Sequence, residues 1–463
     1  MTRTLEVKPP ARCYQGVVPA LIATCASDGT PNVTYLSQVF FIDDAHVALS
    51  CQFFNKTKQN VLENPFASLQ LVDPVTFEAY QMDLRFERAE TSGPMFDTMR
   101  LRIEAIASHT GMSGVFKLIS SDVYEVLSCT KLDGFLEPAA IEIGSAAEPL
   151  PGQRSELRGL QLVSQRLCRV GRLDELLNTL LQTLEEAFGF EHSMVLLTDE
   201  TGERLYTVGS RGYGEQGIGS EVKLGEGLIG TVAAQRKLLR VSGVEEELRY
   251  GRAIRAAVNQ SAGRRELRPE IALPGLHDAQ SHLALPLVSG ERLLGVLAVE
   301  SRKRLGFDDW DEAFLEIVAN QVAVSLDNVL LREQGEDDAT GAQPSAAAPK
   351  AAEQRTLRFR FFRNDDCVFV GDDYLIRNVP GRILWKILRA YHDSGRTEFS
   401  NRELRLDPWL GLPAIRDNLE SRLVLLRKRL EQKCPDLSLA STARGHFRLE
   451  ARCQLALEES DGS

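Results

Sequence analysis

Three stretches of this 463-residue chain carry side chains able to do chemistry. Lys56, Thr57 and Lys58 place two cations and a hydroxyl at the start of a short helical run, KTKQNVLENP, closed by Pro65. With the free amides of a helix start they can hold a dianion such as phosphate, or they are simply a solvated helix end. Residues 243–280 hold Arg249, Arg252, Arg255, Arg264, Arg265 and Arg268. That segment reads as a solvated insertion, with an anionic-ligand lid or a partner surface as the alternative. Residues 355–453 carry 20 basic against 13 acidic side chains, a local +7 inside a chain whose total is −11. The total argues against nucleic acid, but the local excess admits it. Within residues 1–133 no residue stands out as a proton donor or nucleophile. His46 and His109 are isolated, and the eight cysteines form neither a CxxC nor a zinc-type cluster.

These stretches fall in different blocks. The composition, 43% apolar and 26% charged, excludes a wholly disordered chain or a disulfide knot. Residues 335–354, GEDDATGAQPSAAAPKAAEQ, are too poor in large apolar side chains to build a core and read as a flexible linker. A second linker is expected at 134–154. The division is therefore 1–133, 155–334 and 355–453, with an acidic tail at 454–463. The start MTRTLEVKPP lacks a signal-peptide core, and nowhere do about 18 apolar residues run together. A cytoplasmic protein with reduced thiols and no membrane span is expected.

Block one alternates as short strands do: VVPALIATC, an Asp28-Gly29 turn, PNVTYLSQVFFI, HVALSCQF, then the helical run and further strands. The succession ALIATCASDGTPNVTYLSQVFF, ALSCQFFNKTKQNVLENPFASL and FKLISSDVYEV resembles the pyridoxamine 5'-phosphate oxidase-like flavin-binding split barrel. The resemblance implies FMN at a dimer interface, with haem or a deazaflavin as alternatives. Its phosphate contacts carry over to Ser50, Asn55, Lys56, Thr57, Lys58 and Asn60, and Tyr35, Leu36 and Ser37 would lie along the flavin. Thr57 stands where the family usually has a basic residue. Flavin-dependent oxidoreductase activity is left open.

In block two, two amphipathic helices broken at Gly171 precede the strands SMVLLTD and ERLYTVGS. LGEGLIGTVAA, HLALPL, the RLLGVLAVES hairpin and the closing helix FLEIVANQVAVSLDN resemble a GAF domain, which implies an α/β sensor with a small-molecule ligand. The glycine-rich piece lacks the Lys-Ser/Thr of a P-loop. Cys168 is expected in the core. Phe314, Ile317, Val318, Gln321, Ser325 and Val329 form a stripe on the last helix that can pair in part with a second copy.

Block three reads as a small sheet, three helices and a hairpin turning at Arg444-Gly445. Ser400 and Glu403 form a capping box. LESRLVLLRKRLEQ followed by LSLASTARGHFRLE resembles the OmpR/PhoB-type winged helix-turn-helix. Leu419, Leu423, Leu426 and Leu430 share one helical face. The resemblance places Arg416, Asn418, Ser421 and Arg422 toward a major groove, Arg427 and Lys428 near the helix end, and Arg444 on the wing. Val424 and Leu425 stand where the family commonly exposes basic residues, which admits a protein-binding surface.

The expected fold is a multidomain α+β chain: split β-barrel, GAF sensor and winged helix-turn-helix. The function it implies is a homodimeric sensory transcriptional regulator that couples flavin or small-molecule sensing to DNA. An FMN-dependent oxidoreductase with regulatory domains and a cofactor-free protein-interaction scaffold are the alternatives.

Overall fold

The computed structural model describes residues 7–132, 156–261, 275–336, 356–410, 412 and 419–460, apart from positions 37, 53–55, 169, 200, 214–219, 364–365, 372 and 444. The chain divides into two compact units. One comprises Met1–Glu156, Leu224–Leu285 and Ala298–Glu316; the other comprises Leu157–Lys223, Pro286–Leu297 and Ile317–Ser463.

The N-terminal domain holds β1 (Ala20–Cys25), β2 (Pro31–Leu36), β3 (Val39–Asp43), β4 (His46–Cys51), α1 (Lys56–Glu63), β5 (Phe66–Val72), β6 (Ala79–Glu90), α2 (Pro94–His109) and β7 (Ser120–Leu132). Its strands form one antiparallel sheet in the order β2-β1-β5-β6-β7-β4-β3. The β1–β2 hairpin turns where Gly29 takes φ +85°, and Asp28 Oδ1 accepts the Thr30 amide at 2.9 Å. Alternation puts Ile22, Leu69, Leu71, Met82, Leu84 and Tyr124 into one buried cluster.

The central region contributes α3 (Glu156–Leu167), α4 (Leu173–Phe188), β8 (His192–Thr198), β9 (Arg204–Arg211), β10 (Glu221–Lys223), α5 (Gly227–Gln235), β11 (Leu239–Ser242), α6 (Val244–Ser261), β12 (Ser281–Ser289), β13 (Arg292–Ser301) and α7 (Asp309–Glu336). Sheet order is β10-β9-β8-β13-β12-β11. Leu173, Leu176, Leu177, Leu180, Leu181 and Leu184 line the buried face of α4, and Gly189 ends it in the left-handed conformation. Residues Asp309–Leu331 of α7 are long and apolar enough to cross a membrane by composition, but half of that stretch is buried inside the protein. Cys168 lies beyond the end of α3 and is exposed, which corrects its expected place in the core.

The C-terminal region runs β14 (Thr356–Phe362), β15 (Cys367–Val370), β16 (Asp373–Ile376), α8 (Asn378–Ser394), β17 (Glu398–Ser400), α9 (Asn401–Arg405), α10 (Leu419–Lys433), β18 (Leu437–Ala443), β19 (His446–Ala451) and β20 (Gln454–Ser460). Its two sheets are ordered β16-β15-β14-β20 and β17-β19-β18. Ser400 Oγ accepts the Glu403 amide at 3.2 Å, capping α9. Trp385 of α8 stacks on Phe361 with ring centroids 5.2 Å apart at the centre of the core. Residues 454–460, read above as an acidic tail, instead form β20 parallel to β14. Leu455 and Leu457 pack on the core while Glu458 and Glu459 pair with Arg358 and Arg363, so alternation outweighs the acidity.

Candidate functional site

In the N-terminal domain, α1 and β7 bring the predicted lysine pair beside a carboxylate. Lys58 is buried, and its ammonium lies 2.6 Å from Asp122, itself buried on β7. Ser120 Oγ donates to the same Asp122 oxygen at 2.7 Å, and Phe86 lies under the Lys58 charge at 4.8 Å. Tyr35, Leu36, Ser50, Thr57 and Lys58 share a cavity of about 160 Å³ with Asp122. Thr57 Oγ1 accepts from Asn32 at 2.9 Å and Ser50 Oγ from Gln52 at 3.2 Å. Lys56 is exposed at the start of α1 and outside this cavity. Asn60 is buried, with its amide donating to Thr24 at 3.1 Å, a bond that anchors the helix. Ser37 and Asn55 lie outside the described residues.

The described residues of one chain do not by themselves fit a whole FMN. The cavity is smaller than the roughly 300–1,000 Å³ usual for such ligands. Among the described residues its buried cation is already neutralised, and Asp122 would face the phosphate dianion.

The Arg-bearing segment after residue 243 is only partly solvated. Its first half is α6, docked on the N-terminal domain. Glu247 pairs with Arg102 of α2 at 2.8 Å, Tyr250 packs edge-on to Phe116, and Arg255 donates to the Thr110 carbonyl. A side chain at Gly251 would come within 2.9 Å of Thr110, so α6 sits close against the end of α2. Arg249 points outward and pairs along its own helix with Glu245. Arg264, Arg265 and Arg268 lie outside the described residues. The glycine-rich entry to α5 is also spoken for: Ser108 Oγ accepts the Gly227 amide at 2.9 Å and donates to the Gly225 carbonyl at 2.8 Å.

His46 sits half-exposed between Asp43 and Glu87. His109 is not isolated, as the sequence led us to expect. It is buried with His282 of β12, which lies 3.5 Å from Glu300 of β13. Complete burial, reinforced by His109, pushes the His282 imidazole down to about 4. The unfolded chain therefore takes up a proton near pH 6.5 that the folded chain refuses until about pH 4. Stability is lost as pH falls through that window, by up to about 3 kcal/mol from this group. Urea unfolding at pH 7 and pH 4.5 should show a larger acid loss for the wild type than for His282→Gln.

In the C-terminal region the predicted DNA-reading residues are divided. Arg416, Asn418 and Arg444 lie outside the described residues. Ser421 and Arg422 are 0% and 2% exposed, on the first turn of α10, which packs on β9 and α4 of the same unit. The Tyr206 hydroxyl of β9 lies 2.8 Å from Ser421 Oγ, and Lys428 reaches Asn178 of α4 at 3.4 Å. Burial draws the Arg422 guanidinium down to about 9 against the pull of Asp199. Arg427 is turned toward its own domain, bonding Glu420 and the Leu439 carbonyl at 3.1 Å each. Beside this packing, Arg377 and Asn378 bond Glu221 of β10. Val424 and Leu425, the apolar pair standing where basic residues were expected, are buried here as well.

Comparison with known families places two of these regions. Residues 12–125 match the family model described as pyridoxamine 5'-phosphate oxidase, and residues 172–326 match that of the GAF domain. The chain thus joins a pyridoxamine 5'-phosphate oxidase-like domain to a GAF domain. The pair supports a sensory or flavin-binding regulatory protein. No curated protein matches the chain. Among solved structures, it is similar to the GAF domain of a phosphoenolpyruvate-protein phosphotransferase from Acinetobacter, at 19% identity over 37% of this chain and 93% of that one, TM-score 0.30. It is also similar to HupZ from Group A Streptococcus, at 18% identity over 27% and 96%, TM-score 0.22. A third is an FMN-binding protein from Syntrophomonas wolfei, at 14% identity over 27% and 86%, TM-score 0.22.

Proposed function

We propose that this protein is a sensory transcriptional regulator whose C-terminal winged helix binds DNA and whose GAF domain controls access to the reading helix. The observation that carries this reading is the burial of Ser421 and Arg422 on the first turn of α10, with Ser421 Oγ 2.8 Å from the Tyr206 hydroxyl of β9. An arginine on a reading helix is useful only when its guanidinium can reach a base edge or phosphate. Here it is withdrawn, so the arrangement is the closed one, and a signal that loosens α10 from β9 opens it. The +7 charge of residues 355–453 supplies the phosphate attraction.

A second copy of the chain is the partner the exposed surface supports. Trp310, Ile317, Val324 and Leu331 recur every seven residues along α7, each about half exposed or more. An apolar row with that repeat supplies one of the two positions per heptad that a coiled pair uses, and so favours a second copy. On the β2 edge, Val33 and Tyr35 are exposed too, beside the Lys58 cavity. A flavin would need that second copy to complete its site.

The test is capture of genomic DNA by the full chain at low salt, followed by fluorescence anisotropy on the recovered sites. Binding is expected to fall steeply with salt, because phosphate contacts release counterions. Absence of binding at low salt, in the wild type and in a variant with α10 freed from β9, overturns the reading.

A further inference from the structure

A cavity of about 300 Å³, separate from the one at Lys58, lies where β9, β10, β16, the start of α8 and α10 meet within the unit that carries the C-terminal region. Four guanidinium groups line it, of Arg204, Arg377, Arg422 and Arg429, against the three carboxylates of Asp199, Glu203 and Glu221. These acids are unevenly spent. Glu221 serves two cations at once, Arg204 at 3.2 Å and Arg377 at 2.8 Å. Asp199 accepts the Glu203 amide at 3.0 Å, the Arg204 amide at 3.1 Å and the Thr201 hydroxyl at 2.9 Å, which ties it to its own turn. Glu203 is exposed on that turn. Among the described residues no carboxylate pairs with Arg429.

The surplus charge is also the reachable one. Arg429 is only half-buried where it lines the cavity. Arg377 spends Nε and Nη2 on Glu221, at 3.1 and 2.8 Å, and keeps Nη1. Tyr374 is 41% exposed beside both arginines: burial raises its phenol, while the charges of Arg377 and Arg429 pull it down. The nitrogens of Arg422 are enclosed, so it adds charge rather than contact. Helix α8 begins on the same wall with Asn378 and Val379, so the positive end of its dipole adds to the field. We propose that this cavity binds a phosphate monoester with a small apolar body. Its oxygens accept from Arg429, from Arg377 Nη1 and from the Tyr374 hydroxyl. A phosphoryl group offers three acceptor oxygens for these three donors, where a carboxylate offers two. The body lies against Tyr206, Val379 and Leu425, which line the remaining wall. Nothing in this assignment depends on DNA binding, and its readout needs none.

The experiment is isothermal titration calorimetry and thermal unfolding of the full chain with phenyl phosphate and with inorganic phosphate. Benzyl alcohol is the uncharged control, and potassium chloride at matched ionic strength controls for screening. Phenyl phosphate is expected to bind with Kd below about 1 mM and raise Tm, while neither control does. It should also bind more tightly than inorganic phosphate, because its ring leaves water. Arg429→Gln removes one charged donor from a half-buried position and should weaken binding at least about tenfold, with the unliganded Tm unchanged. Arg429→Glu sets a carboxylate where the anion would lie and should abolish binding. The proposal is overturned if phenyl phosphate does not bind, if inorganic phosphate binds as tightly, if potassium chloride raises Tm as much, or if both variants bind like the wild type.

Discussion

Asp122→Ala is expected to lower the stability of the N-terminal domain by about 3–5 kcal/mol, the usual result of stranding one half of a buried ion pair. Lys58 would keep its charge in a buried place with its carboxylate gone, and Ser120 would lose its acceptor. Phe86 offsets part of this, because its ring still faces the ammonium at 4.8 Å. The double variant Lys58→Met with Asp122→Leu removes both charges and should cost much less than Asp122→Ala alone. Urea unfolding read by far-UV circular dichroism separates the three proteins. Equal losses in the single and double variants would mean that the pair matters only for packing. Asp122→Asn carries the functional half of the prediction. It keeps the shape, leaves the Lys58 charge available to an anion, and is expected to raise FMN affinity at least about tenfold, measured by quenching of flavin fluorescence. Unchanged affinity would place any flavin phosphate elsewhere, and loss of binding would give Asp122 a direct role in holding it.

The second large effect concerns α10. In the full chain, Tyr206→Ala should strengthen DNA binding by about tenfold or more. The change deletes the hydroxyl bonded to Ser421 and a ring packed against the cluster that holds Leu425. Truncations of this size typically cost about 3–5 kcal/mol when the side chain is fully buried. Tyr206 is only half-buried, so a smaller share of that penalty falls on the closed arrangement. A helix available in a small fraction of molecules binds with an affinity reduced by that fraction, and unlocking it restores the difference. Anisotropy titrations at two salt concentrations test this. If near-UV circular dichroism shows α10 released and the variant still binds DNA only as the wild type does, the closed arrangement is not what limits binding.

Much of the architecture could be read in advance because it is local. Alternation in VVPALIATC and HVALSCQF, the Asp28-Gly29 turn, the leucine face of LDELLNTLLQTLEEAF and the Ser400 cap are each decided within a few residues, by pleat, helical period or turn chemistry. The placement of charged groups was not local. Lys58 and Asp122 are 64 positions apart, and Arg102 and Glu247 are 145 apart. Nothing in the spacing KTK says that one lysine will be spent on a carboxylate from β7. Likewise His109 meets His282 only because α2 lies against the region that carries β12, and Arg255 reaches the end of α2 only because α6 docks there.

By itself, then, the chain's sequence determined which faces are apolar and where the basic charge lies. Those follow from composition and from periods of two and 3.6 residues, which any neighbouring stretch of chain must obey. Which charges stay available for a ligand was decided by the tertiary structure alone. A buried ion must find its counter-charge wherever the fold brings one, however far along the chain it was made. That is why Lys58 and Arg422, conspicuous as cations in the sequence, are enclosed in the folded protein, while Arg102 and Arg240, inconspicuous in the sequence, line a cavity of about 470 Å³.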